Sequence, residues 1–113
     1  MVKQNQNALD RTFAALADPT RRALLARLQQ EDGLSVSALA GPLGMSLPGV
    51  MKHLSVLSDA GLIRRCKTGR TVACHLQAAP MQEAAAWLER YERFWSGQLD
   101  RLAAFVESEE EQS

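Results

Sequence analysis

The chain has 113 residues, 46% hydrophobic and 23% charged, which suits one globular domain with its own core and leaves little room for a deep catalytic pocket. No apolar run reaches the length of a membrane span, and the polar start MVKQNQN has no signal-peptide core, so a cytoplasmic protein without a membrane partner is expected. The formal net charge of +0 conceals an asymmetry: residues 1–76 carry ten Lys/Arg against five Asp/Glu, whereas residues 77–113 carry three against eight, giving a basic front able to face phosphate and an acidic back.

Residues 1–7 offer no apolar anchor and are expected to fray. Leu9, Phe13 and Leu16 then space one face of a first helix, which Asp18-Pro19 must interrupt because the residue before a proline is pushed out of the helical region. The same Asp18 caps the next helix and Pro19 takes its favoured first position, so DPTRRALLARLQQ predicts a second helix that buries Leu24, Leu25 and Leu28. Glu31-Asp32-Gly33 reads as a loop.

The stretch SVSALAGPLGMSLPGVMKHLSVLSDAGL, residues 35–62, predicts two short helices. Ser35 supplies an N-cap oxygen to the first, with Leu39 and Leu43 at i and i+4. Gly44-Met45-Ser46 breaks the pattern, the glycine free to take a positive φ and the serine able to cap a second helix over 46–60. Pro48 is tolerated in its first turn, Val50, Leu54 and Leu57 form its apolar stripe, and Gly61-Leu62 suits a left-handed ending. Two short helices joined by a glycine turn form a helix-turn-helix, whose second helix enters the major groove of DNA.

From Leu62 the period changes to alternation, with Val72, Cys74 and Leu76 on one face and Lys67-Thr68-Gly69-Arg70 as a turn. A hairpin directly after a recognition helix makes a wing, here over 64–72. Arg64, Arg65, Lys67 and Arg70 fall within seven residues that contain no acid, which suits phosphate contact together with Thr68. A long last helix over 80–107 completes the chain. Met81, Ala84, Leu88, Tyr91, Trp95, Leu99, Leu102 and Val106 step by three or four, widened by Trp87, Phe94 and Phe105. So much aromatic surface on one terminal helix exceeds what a small core covers, and it predicts burial against a second copy. The acidic tail, 108–113, is expected to be disordered. The whole is one mainly α domain, 1–113, with about five helices and a two-stranded wing.

ALADPTRRALLARL, MSLPGVMKHLSVLSDAGLIRR and KTGRTVACHL together resemble the ArsR-type winged-helix bacterial repressors over nearly the whole chain. The resemblance implies a homodimer joined through the first and last helices, and Leu9, Phe13, Leu88, Tyr91, Trp95, Leu99, Leu102 and Val106 are the residues expected at that interface. It also implies two recognition helices on a palindromic, double-stranded DNA operator, released by an inducer that the sequence does not name. The chain departs from metal-sensing relatives: VSALAGPLG holds no thiol and the last helix no histidine, so no metal site and no cofactor are expected.

The expected reading face is Ser46, Leu47, Pro48, Gly49, Met51 and Lys52, with His53 as a half-buried neighbour or phosphate donor. Cys66 and Cys74 are too few for a secreted disulfide framework and fit a reducing compartment. A three-residue hairpin loop would set them opposite one another beside Arg64, Arg65 and Lys67, giving a thiol-redox-responsive wing; a two-residue turn would leave them diagonal, with Cys74 a small core residue. No nucleophile, base and acid are arranged by any local signature, and no glycine-rich phosphate loop is present, so an enzyme is not expected. A winged helix that docks on protein is the third reading, disfavoured by the cations of the wing.

Overall fold

A computed structural model describes the backbone of residues 2–112 and the side chains of residues 7–110. The elements are α1 (Val2–Leu16), α2 (Pro19–Gln30), β1 (Leu34–Ser35), α3 (Val36–Ala40) with a 3₁₀ turn at Gly41–Leu43, α4 (Leu47–Asp59), β2 (Ile63–Thr68), β3 (Thr71–Leu76) and α5 (Ala79–Gln112). This is a winged helix-turn-helix with five helices. Among the described residues, no helix is long and apolar enough to cross a membrane.

Local chemistry sets most of these boundaries. Asp18 is extended at φ −94° and its carboxylate accepts from the backbone N–H of Arg21, starting α2 with Pro19 in first place. Ser35 and Ser46 cap α3 and α4 in the same way, accepting from the N–H groups of Ala38 and Gly49. Gly44 turns the chain between them at φ +63°. At the far end of α4, Gly61 sits at φ +76°, its N–H donating to Ser58 O while Leu62 N–H reaches back to Leu57 O, both at 2.9 Å. That pair of bonds closes the helix and swings the chain into the wing.

The core lies where these elements meet. Leu24 and Leu28 of α2, Leu39 of α3, Val50, Leu54 and Leu57 of α4, and Leu62, Ile63 and Cys74 at the root of the wing are almost wholly buried. The sheet is antiparallel in the order β1-β3-β2, one strand more than the expected two-stranded wing. In the added strand Leu34 and Ser35 pair with Cys74 and Ala73, and two residues are too few to display an alternating pattern. His75 secures the same junction, its Nδ1 3.0 Å from Asp32 Oδ2, a bond that holds the Asp32 carboxyl below its ordinary value.

Both ends of the chain are more helical than expected. Residues 2–7, expected to fray, form the first turns of α1, since no glycine or proline interrupts them; Met1 lies outside the described residues. The tail 108–113, expected to be disordered, continues α5 to Gln112, because Glu and Gln are good helix formers, although acids at a helix C-terminus oppose its dipole. Ser113 lies outside the described residues.

The 34 residues of α5 make a rod of about 51 Å at 1.5 Å per residue. Only its root packs on the domain, where Ala84 is buried and the rings of Phe13 and Trp87 meet edge to face at 5.6 Å. Beyond it the rod projects: the radius of gyration is 19.8 Å, against about 13 Å for a compact chain of this length.

Candidate nucleic-acid interface

The first turns of α4 and the tip of the wing bound one groove. Leu47 and Met51 line it from α4, Arg70, Thr71 and Val72 from the wing, and Ser35, Val36 and Ser37 from the start of α3, around an open volume of about 280 Å³. Leu47, 50% exposed, is a large apolar side chain held in solvent by the helix that buries Val50 on its other side. Ser46, Pro48, Met51 and Lys52 are exposed around the same turns. Gly49 is half-buried, with Met45 packed close beneath it, and offers only backbone to a ligand. Of the six residues expected on the reading face, Leu47 and Met51 line the groove, Ser46, Pro48 and Lys52 are exposed beside it in sequence, and Gly49 brings no side chain.

His53 does not join them. It is half-buried and turns toward α2, where Nδ1 lies 3.4 Å from Nη1 of Arg21 and 3.9 Å from Oδ2 of Asp18. The N–H of Arg21 is the main reason that the Asp18 carboxyl titrates below its ordinary value, with the charge of His53 a smaller one. Arg21 in turn donates through Nε to Ala15 O at 2.7 Å and through Nη2 to Ala14 O at 2.9 Å. Its side chain therefore closes the open carbonyl end of α1 and links it to α4.

The basic front is smaller than its charge count. Arg22 donates to Leu16 O and Arg27 to Ala38 O, both at 2.7 Å, so two further arginines serve as caps on neighbouring helices. Lys52, Arg64, Lys67 and Arg70 face solvent, Arg65 is half-buried, and of these Arg70 lines the groove. Among the described residues none of these has an acidic partner within ion-pair distance.

The hairpin turn has two residues, Gly69 and Arg70, between paired Thr68 and Thr71. Gly69 at φ +62° and Arg70 at negative φ match the turn that places glycine first. The register sets Cys66 opposite Ala73, and Arg65 opposite Cys74. Side chains alternate along a strand, so Cys66 and Cys74 lie on opposite faces of the hairpin. This overturns the opposed-thiol arrangement and matches the two-residue alternative, in which position 66 pairs with 73 and the thiols stand one position out of register. Arg64, Cys66 and Thr68 share the outer face, with Nη1 of Arg64 3.2 Å from the Cys66 sulfur; Arg65 and Lys67 share the other face with Cys74. Cys74 is fully buried and its thiol is pushed up by that burial, the reverse of an activated cysteine. Among the described residues no three His, Cys, Asp or Glu side chains gather where they could hold a metal ion.

On α5, Leu88, Tyr91, Trp95, Leu99, Leu102 and Val106 are each between 47% and 62% exposed, and Phe94 and Phe105 are open beside them. Leu9 and Phe13 of α1 are half-buried at the root of this strip.

A capped helix-turn-helix, with a basic hairpin folded to the same side as its second helix, defines a winged-helix DNA-binding regulator. Residues 16–66 match a family model described as a helix-turn-helix domain. Over 100 residues the chain is 37% identical to an HTH-type transcriptional regulator of Mycobacterium tuberculosis, covering 88% of this chain and 90% of that protein. It is 30% identical over 95 residues to the arsenical resistance operon repressor of Escherichia coli, covering 83% of this chain and 78% of the other. A crystal structure of an ArsR family transcriptional regulator superposes with a TM-score of 0.71 at 41% identity, covering 83% of this chain and 93% of that one. The chain belongs to the ArsR family of winged-helix transcriptional regulators, proteins that bind DNA and are not enzymes.

Proposed function

We propose that the chain is a cytoplasmic homodimeric repressor that binds a pseudo-palindromic operator, reading it with the first turns of α4 and holding the adjacent phosphates with the wing. The groove shared by Leu47, Met51 and Arg70 carries this reading, since one continuous face offers a helix for the major groove and a cationic tip for the backbone beside it. Leu47 and Met51 suit thymine methyls, Ser46 a phosphate, and Lys52 a phosphate or a guanine edge. Arg64, Arg65, Lys67, Thr68 and Arg70 would act on the backbone. So apolar a reading face supports few base-specific bonds. Affinity then rests on charge and DNA shape, and pairing of half-sites supplies specificity that one helix lacks.

The long exposed strip of α5 supports the dimer, because a monomer seldom leaves so large an apolar patch in water. The test is a titration of the purified chain against a duplex of its own upstream DNA with scrambled competitor, with sedimentation of the free protein. Competitor-resistant binding by a dimer is the expected result. Binding no tighter than to scrambled DNA would overturn the operator reading and favour a winged helix that docks on protein.

A further inference from the structure

One face of α2 is not used by the core. Arg22, Ala26 and Gln29 recur along it at helical spacing and wall an open groove of about 460 Å³, closed on the other sides by Leu16 at the end of α1, Leu76 at the end of β3 and Met81 in the first turn of α5. The volume lies within the range of sites for small organic molecules, and so does the make-up of the walls, mainly aliphatic with two polar groups. Among the described residues Arg22 is the one ionisable side chain lining it, and no carboxylate shares the groove. Among the described residues only its Nη1 has a protein acceptor, Leu16 O at 2.7 Å, and a guanidinium carries five N–H donors.

We propose that this groove is an effector site for a compact apolar carboxylate of about a dozen non-hydrogen atoms. The apolar body displaces water from Leu16, Leu76 and Met81, and the carboxylate pairs with the free edge of the Arg22 guanidinium, with the Gln29 amide as second donor. A dianion or a sugar would leave polar groups unmatched against the aliphatic walls. The effector role rests on the operator reading above. The groove is bounded by α1 and α5, the helices assigned to the dimer, and by β3, a strand of the wing. A ligand there touches both parts and shifts DNA affinity to the extent that it prefers one arrangement of them.

Equilibrium dialysis of the full chain with 1-naphthoate, and with neutral 1-naphthalenemethanol for comparison, tests the site. Saturable binding of one naphthoate per chain is expected. Ala26→Phe, which fills the groove from an exposed position, should weaken both probes at least tenfold. Arg22→Gln should weaken naphthoate at least tenfold and leave the alcohol within threefold; thermal melts verify that each variant is folded. The assignment is overturned by no saturable binding, by binding that Ala26→Phe leaves untouched, as on the aromatic strip of α5, or by equal loss of both probes in Arg22→Gln.

Adding saturating naphthoate to the complex with upstream DNA should shift its midpoint at least threefold for the wild type and not for Ala26→Phe. Naphthoate binding without that shift would overturn the effector role. Failure of the free wild type to bind the duplex at all would instead count against the operator reading, because the dialysis result does not depend on DNA.

Discussion

The guanidinium of Arg21 in α2 lies 3.4 Å from Nδ1 of His53 in α4, while its other nitrogens hold the carbonyl oxygens of Ala14 and Ala15 in α1. One side chain thus joins three helices. Arg21→Gln should lower unfolding free energy by about 1–3 kcal/mol, the effect of leaving partly buried acceptors without their donors. Arg21→Lys should not restore it, since a single ammonium cannot span the fork. Denaturant unfolding of the three proteins checks this, and full recovery by lysine would show that charge alone matters.

Asp18 stands in the same cluster, and its carboxyl is held below the ordinary value of 3.8 chiefly by the N–H of Arg21. A depressed folded value means that the carboxylate stabilises the fold above 3.8 and that this contribution is lost as the pH falls through the lower, folded value. The melting temperature of the wild type should therefore exceed that of Asp18→Ala at neutral pH, and the two should converge in strong acid. A gap that stays constant down to pH about 2 would assign the effect to something other than the ionised cap.

Much of the fold was legible because its signals are local. Asp18, Ser35 and Ser46 cap, Gly44 and Gly61 turn, and each needs only its own neighbours to do so. What sequence could not reveal depends on distant partners. The strand at Leu34–Ser35 exists only because β3 lies beside it, and Arg21, Arg22 and Arg27 are caps on helices other than their own. The charge count therefore overstated the basic face, since a count cannot tell a capping guanidinium from a free one. The turn at Gly69 fitted either loop length, and only the register settles which residues face each other.

The same register forbids a bridge between the two cysteines of one chain. Cys66 and Cys74 project from opposite faces, and Cys74 is sealed in the core. Treatment of the folded protein with diamide should leave the intact mass without the loss of two hydrogens, and alkylation should label Cys66 first. An intramolecular disulfide formed without unfolding would contradict the pairing of Cys66 with Ala73.

Gly61→Ala forces a side chain into φ +76°, with its Cβ 3.4 Å from the Pro80 ring. The left-handed conformation alone costs roughly 1–2 kcal/mol for a residue with a Cβ. Because this turn aims the wing relative to α4, the variant should lose stability by about that amount and also bind DNA less tightly. Calorimetry beside the DNA titration separates the two, and unchanged stability would mean that the turn relaxes freely.

The cations divide into those absorbed by the fold and those left for a ligand, and salt dependence can tell them apart. Arg70, exposed at the tip of the wing beside Leu47 and Met51, should contribute one phosphate contact per chain. Arg70→Ala should then reduce the slope of log K against log salt by about 1 per chain with little change in sequence preference. Arg27 donates to the carbonyls of Ala38 and Leu39, so Arg27→Ala should cost stability and leave the slope alone. Leu47→Ser should do the converse of Arg70→Ala, altering the preferred base beneath it while the slope holds. If Arg27→Ala flattened the slope as much as Arg70→Ala, the separation of structural from DNA-facing arginines would fail, and the wing would lose its claim to the backbone.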